Sequence, residues 1–203
     1  MYFCEIVIGP PGSGKSTYVL EKSKKLEHRN LWTINLDPDN INKDFYNFNI
    51  DKSIKNYQIQ NDMGPNSSTK ELLNNFAHNI NDFYHEYMVE KSEYFIFDLP
   101  GQIEFFINND SLSKMINFFN SKNISVVIIN MIDLVFFNTS LLSSYLFTYI
   151  SVLLLEVPYV CVISKCDKYI DYCMDYELED LINTNVLNLI KPKKNLKKSH
   201  QNF

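Results

Sequence analysis

Arginine is nearly missing from these 203 residues: Arg29 stands alone against 18 lysines. Alanine occurs once, tryptophan once and glycine five times, while asparagine occurs 25 times. Residues with A/T-rich codons are therefore abundant and those with G/C-rich codons scarce, as in an A/T-biased genome. A basic surface is also lacking. Net charge is −5 and the pI is near 5.4, so no global field exists for gripping nucleic acid directly. The four cysteines (Cys4, Cys161, Cys166, Cys173) form no CxxC pair. Neither they nor His28, His78, His85 and His200 have metal-ligand spacing, and a reduced intracellular protein with buried thiols is expected. No charged segment followed by an apolar core opens the chain, so no secretory signal is read. The longest apolar stretch, residues 139–155, is closed by Asn138 and Glu156-Val157-Pro158 and diluted by Ser143, Ser144 and Thr148. It falls short of the roughly 20 residues a bilayer needs and is expected to be a buried helix.

What is present is enough for a core: 45% of residues are hydrophobic and 21% charged, which excludes disorder as the main state. Against so little glycine, each retained one is expected to have a backbone task. All five (Gly9, Gly12, Gly14, Gly64, Gly101) fall in three short segments. Short apolar runs at 3–8, 31–37, 94–97, 124–130 and 159–163 alternate with helical patterns at 17–28, 67–90, 111–120 and 139–155. Residues 39–63 are polar and weakly periodic, with a short helix expected near 51–56. This alternation predicts an α/β fold with a mostly parallel sheet and helices on both faces. One domain is expected over residues 1–190, followed by a basic tail at 191–203 that includes KPKKNLKK. That tail reads as a solvated, frayed end, with a nuclear signal as the sharper alternative.

The candidate motifs lie at the carboxyl ends of the expected strands, where ligands bind in such sheets. GPPGSGKS (9–16) matches the phosphate-loop pattern without a mismatch, between an expected strand and an expected helix. Gly12, Ser13, Gly14, Lys15, Ser16 and Thr17 are the candidate phosphate-binding residues. Their N–H groups would curl around phosphate oxygens at a helix N-terminus, with Lys15 on the β- and γ-phosphates and the Ser16 hydroxyl on Mg2+. In DLPGQIE (98–104), Asp98 would hold Mg2+ directly or through water, Gly101 would offer its N–H to the γ-phosphate, and Gln102 would orient a water. Glu104 is a second polar candidate. Asp37, in NLDPDN (35–40), is placed to face the metal or the water. In SKCD (164–167), Asp167 can accept two hydrogen bonds from guanine, a donor pair adenine lacks, and Lys165 would lay its stem along the base or the phosphate loop.

In this order, GPPGSGKST, NLDPDN, GPN (64–66), DLPGQIE and SKCD resemble the GPN-loop GTPases, and Pro10-Pro11, Tyr18 and the SKxD form are most similar to the second eukaryotic paralogue. The resemblance spans residues 4 to about 170. It implies a P-loop GTPase fold, Mg2+ and GTP or GDP as ligands, and a homodimer or a heterodimer with another GPN-loop GTPase. In that family the loop at Gly64, Pro65 and Asn66 reaches the partner's active site, so Asn66 would act on the partner's γ-phosphate. It also implies a role in assembly and nuclear import of RNA polymerases II and III, a cytoplasmic location with possible shuttling to the nucleus, no direct nucleic-acid contact and no membrane. Arg29, about a helix length beyond Lys15, is expected far from the phosphates, so no arginine finger is supplied in cis and hydrolysis is expected to be slow. Two departures stand out. Ser164 stands where most GTPases have Asn, though relatives in this family also carry Ser or Thr there, and nothing from Lys168 to Phe203 reads as the family's usual last strand and base-covering loop. A P-loop kinase of a nucleotide or other small molecule fits the phosphate loop but lacks lid arginines. A nucleotide-bound, non-catalytic scaffold is the non-enzyme alternative. The deviant-Walker ATPases carry an early loop lysine where this chain has Pro10 and Pro11.

Overall fold

The computed structural model describes residues 2–40, 44–50, 64–102, 110–136 and 141–168. Glu104, Cys173, His200, the helix expected near 51–56, the basic tail and the missing-last-strand expectation lie outside the described residues. Six strands form one sheet: β1 (Tyr2–Ile8), β2 (Leu31–Asn35), β3 (Phe48–Asn49), β4 (Tyr94–Asp98), β5 (Ile124–Asp133) and β6 (Tyr159–Ser164). Their order is β3-β2-β4-β1-β5-β6, and every pairing is parallel. Sheets of this kind are buried on both faces, so their strands read as continuous apolar runs. The last five residues of β1 are all buried, as are the last four of β4.

Alternate residues along these strands divide the core in two, as a period of two requires. Cys4, Ile6, Ile8, Phe95 and Phe97 face the larger cluster, whereas Val7, Ile96 and Ile129 face the smaller one. Helix α1 (Lys15–Lys25) covers the smaller face through Val19. Helices α2 (Pro65–His78), α3 (Ile80–Phe83), α4 (Ser111–Ser121) and α5 (Leu141–Leu155) contribute to the larger cluster. Phe48 and Phe76 both pack their rings 4.8 Å from Phe83, tying the short β3 to α2 and α3.

Two local expectations change. The helical pattern over 67–90 is not one helix: α2 stops at Asn79, and α3 runs directly into a π-helical turn, Tyr84–Met88. The wider turn lets Phe83 and Tyr87 stack at 5.2 Å while Met88 is buried. The cysteines are not uniformly buried, either. Cys4 is in the core, but Cys161 is exposed on β6, which is the edge strand among the described residues. No described helix is long and apolar enough to cross a membrane.

Candidate functional site

β1 lies between β4 and β5, so the loop leaving β1 at Gly9 is flanked by the ends of both. The chain turns into α1 through Gly14, whose φ of 91° is a left-handed conformation that side-chain-bearing residues rarely adopt. A cleft of about 510 Å³ opens above, lined by Gly12, Gly14, Lys15, Ser16, Thr17, Asp37, Gly101, Gln102 and Lys165. That size suits a small-molecule or cofactor site. Gly101 packs so close to the phosphate loop that a Cβ there would lie 2.7 Å from the Pro11 nitrogen and 2.8 Å from Lys15 Nζ.

Lys15 is buried and its Nζ donates to the Pro10 carbonyl at 3.3 Å. Burial lowers its pKa, and the carboxylates of Asp98 and Asp37 oppose that shift. Asp98, at the end of β4, is fully buried. Its Oδ2 accepts from the Ser16 hydroxyl at 2.7 Å and from the Tyr46 hydroxyl at 2.5 Å. Its Oδ1 is buried and has no hydrogen-bond partner among the described residues. Burial raises the Asp98 pKa, while the Tyr46 and Ser16 hydroxyls and Lys15 pull it back. An unpartnered buried carboxylate oxygen is costly unless something positive completes it. The residues therefore fit a magnesium ion, with Ser16 and Asp98 as the groups to hold it and Asp37 close by on the cleft wall.

Ser13 lies buried beneath the loop. Gln102 Oε1 is buried with no partner among the described residues. Ser164 sits behind the loop, its Cβ 3.8 Å from where a Gly14 side chain would begin. Lys165, in a left-handed conformation (φ 58°), turns its ammonium onto Asp133 at 2.5 Å. Asp167 is exposed in the short 3-10 turn Cys166–Lys168. Asn66 is not in this cleft. Pro65 is the first residue of α2, a position that suits its missing N–H, so the GPN segment is a helix start with Gly64, Pro65 and Asn66 all exposed. Arg29 lines a separate cavity with Tyr2, Glu90, Lys91 and Glu93, at the amino ends of the strands and opposite the phosphate loop.

Three residues were missed in the sequence: Asn40, Tyr46 and Asp133. Asp133 carried the same signal as Asp98, a carboxylate closing an apolar strand, but β5 runs three residues beyond the expected end at Asn130. Asn40 carried only its place at the end of NLDPDN and Tyr46 carried none, because their bonds to Asp98 reach far along the chain.

The sequence matches, over residues 7–203, the model of a family described as a conserved hypothetical ATP binding protein. It is 32% identical over 183 residues to GPN-loop GTPase 2 of Schizosaccharomyces pombe, covering 85% of this chain and 57% of that protein. It is 33% identical over 177 residues to GPN-loop GTPase QQT1 of Arabidopsis thaliana, covering 82% of this chain and 59% of that one. The chain thus spans less than two thirds of the length of these relatives. Among solved structures, an apo-form GTPase from Pyrococcus abyssi superposes with a TM-score of 0.62 at 21% identity, over 81% of this chain and 68% of that one; this likeness supports the P-loop GTPase fold. With four of the five ordered motifs now gathered around one cleft, and relatives of this kind matching across most of its length, the chain belongs to the GPN-loop GTPase family.

Proposed function

We propose that the protein binds GTP with Mg2+ in this cleft and hydrolyses it slowly. The observation that carries the reading is the fully buried Asp98, with one unpartnered carboxylate oxygen, hydrogen-bonded to the phosphate-loop Ser16. Magnesium, when bound, would neutralise charge on the phosphate oxygens. The chain's own groups supply the rest. The N–H groups of the loop and Lys15 hold the phosphates, Gly101 allows a close backbone approach, and the unpartnered Gln102 Oε1 can accept from a water and orient it. Ser164, Lys165 and Asp167 would read the base. Asp133 holds the Lys165 ammonium, while Lys165 also lines the cleft.

Asn66 would act across a dimer, in the site of an identical or related subunit. Its exposure at the start of α2, one turn before the cleft-lining Thr69 and itself not among the lining residues, supports that role. The part in RNA polymerase assembly and nuclear import rests on the family resemblance alone.

Competition on the purified chain tests the nucleotide reading. A fluorescent, non-hydrolysable GTP analogue is bound with magnesium and displaced by unlabelled GTP or ATP. Displacement by GTP alone is expected. Equal displacement by both would remove the base assignment, and no binding would remove the nucleotide site.

A further inference from the structure

The Asn40 side chain reaches the Ser16 and Asp98 oxygens proposed above to hold magnesium, and the Tyr46 hydroxyl beside them. Its Nδ2 donates to Ser16 Oγ at 2.9 Å and to Tyr46 Oη at 2.9 Å, and lies 3.3 Å from Asp98 Oδ2. Both hydroxyls in turn donate to Asp98 Oδ2. The circuit is closed. The two O–H protons point at one carboxylate oxygen, so the lone pairs of Ser16 and Tyr46 are left to face the amide. An NH2 group is the positive end of a side-chain dipole and has only two protons to give. Here it is surrounded by three oxygens, one of them anionic, which is the environment a hard cation selects. The Ser16 lone pair that the amide takes is the one magnesium requires. Meanwhile Asp98 Oδ1 stays buried without a partner among the described residues, so the amide satisfies this cluster incompletely.

We infer that the Asn40 amide stands in for the magnesium ion at Ser16, Tyr46 and Asp98, and that the ion binds only by displacing it. The inference rests on the reading of the cleft as a magnesium–nucleotide site. Asn40 closes the NLDPDN segment, so metal occupancy is coupled to the conformation of the chain that follows β2. The family motif thereby gains a second task, sensing whether the metal is in place.

The test uses manganese as the probe. Free Mn2+ is followed by electron paramagnetic resonance as it is titrated into the GDP complex of the wild type, Asn40→Ala and Asn40→Ser. Serine is too short to bridge the three oxygens, so it checks that any change does not come from misfolding of one variant. Ser16→Ala identifies the signal from this site. Affinity for GDP is measured separately in chelator. Removing two neutral hydrogen bonds that compete with the ion should tighten Mn2+ binding in both Asn40 variants by about five- to tenfold. Equal Mn2+ affinity in wild type and variants, with GDP still bound, overturns the inference alone. Weaker binding in the variants makes Asn40 a ligand and also overturns it. Failure of every form to bind GDP overturns the reading of the cleft and the inference with it.

Discussion

Gly101 shows how little room the phosphate loop has. An alanine there would push against the Pro11 backbone nitrogen, which cannot swing aside as a side-chain tip can. Gly101→Ala should displace the loop at a cost of about 1–3 kcal/mol, seen as a fall in nucleotide affinity by fluorescence titration. An unchanged affinity would mean the loop tolerates the shift. Lys15 is the complementary case, since it is buried and, among the described residues, has a single long hydrogen bond, to Pro10. Its charge is held in reserve for an anionic ligand. Lys15→Ala should reduce triphosphate affinity by about a hundredfold, the scale of losing charge-assisted hydrogen bonds, with a calorimetric titration as the check.

At the scale of elements, α1 is fastened to the sheet by more than apolar packing. Glu5, buried on β1, accepts hydrogen bonds from Tyr18 and Lys22 of α1 and from Tyr94 of β4. Removing Lys22 would leave that carboxylate without its cation. Because the Lys22 side chain is 25% exposed, the cost of Lys22→Ala should be reduced by solvent to about 1–3 kcal/mol, measured by urea denaturation. The pH dependence has a definite sign. Burial disfavours the Lys22 charge, but the hydrogen bonds it donates to Glu5 and Tyr18 outweigh that and its pKa is raised. A raised lysine pKa contributes stability that is complete below the unfolded value near ~10.4 and is lost as pH climbs through the folded one. The difference between wild type and Lys22→Ala should therefore stay flat from neutral pH to about 9.

These elements also show what a linear reading reaches. Strands ending in Asp98 and Ser164 were legible, since an apolar run closed by a polar residue is a local pattern. So were Gly12 to Ser16, whose spacing alone specifies a phosphate cradle. The Tyr18 ring packs against the smaller core cluster; that its hydroxyl meets Glu5 depends on the placement of β1 and is not legible in the sequence. β3 was illegible because two residues have no periodicity, and its existence follows from pairing with Ile34 and Asn35. The bonds from Asn40 and Tyr46 to Asp98 span 58 and 52 positions, and no window of sequence holds both ends.

At the scale of the whole molecule, the position of Asn66 outside its own cleft leads to a complementation experiment. Asn66→Ala alone should lose hydrolysis while keeping nucleotide affinity, and Lys15→Ala alone should lose binding. In a mixed dimer the Asn66→Ala subunit binds nucleotide and receives an intact Asn66 from its neighbour. Mixing the two inactive proteins should restore hydrolysis in a phosphate-release assay, and persistent inactivity would remove the trans role. The strand order has another consequence, in time. β1 occupies the middle of the sheet but is made first, and its neighbours begin only at Tyr94 and Ile124. At about 5–20 residues per second, the ribosome leaves this apolar strand unpaired for on the order of ten seconds, and the nascent chain carries its central strand exposed until β4, about ninety residues later, has been synthesised.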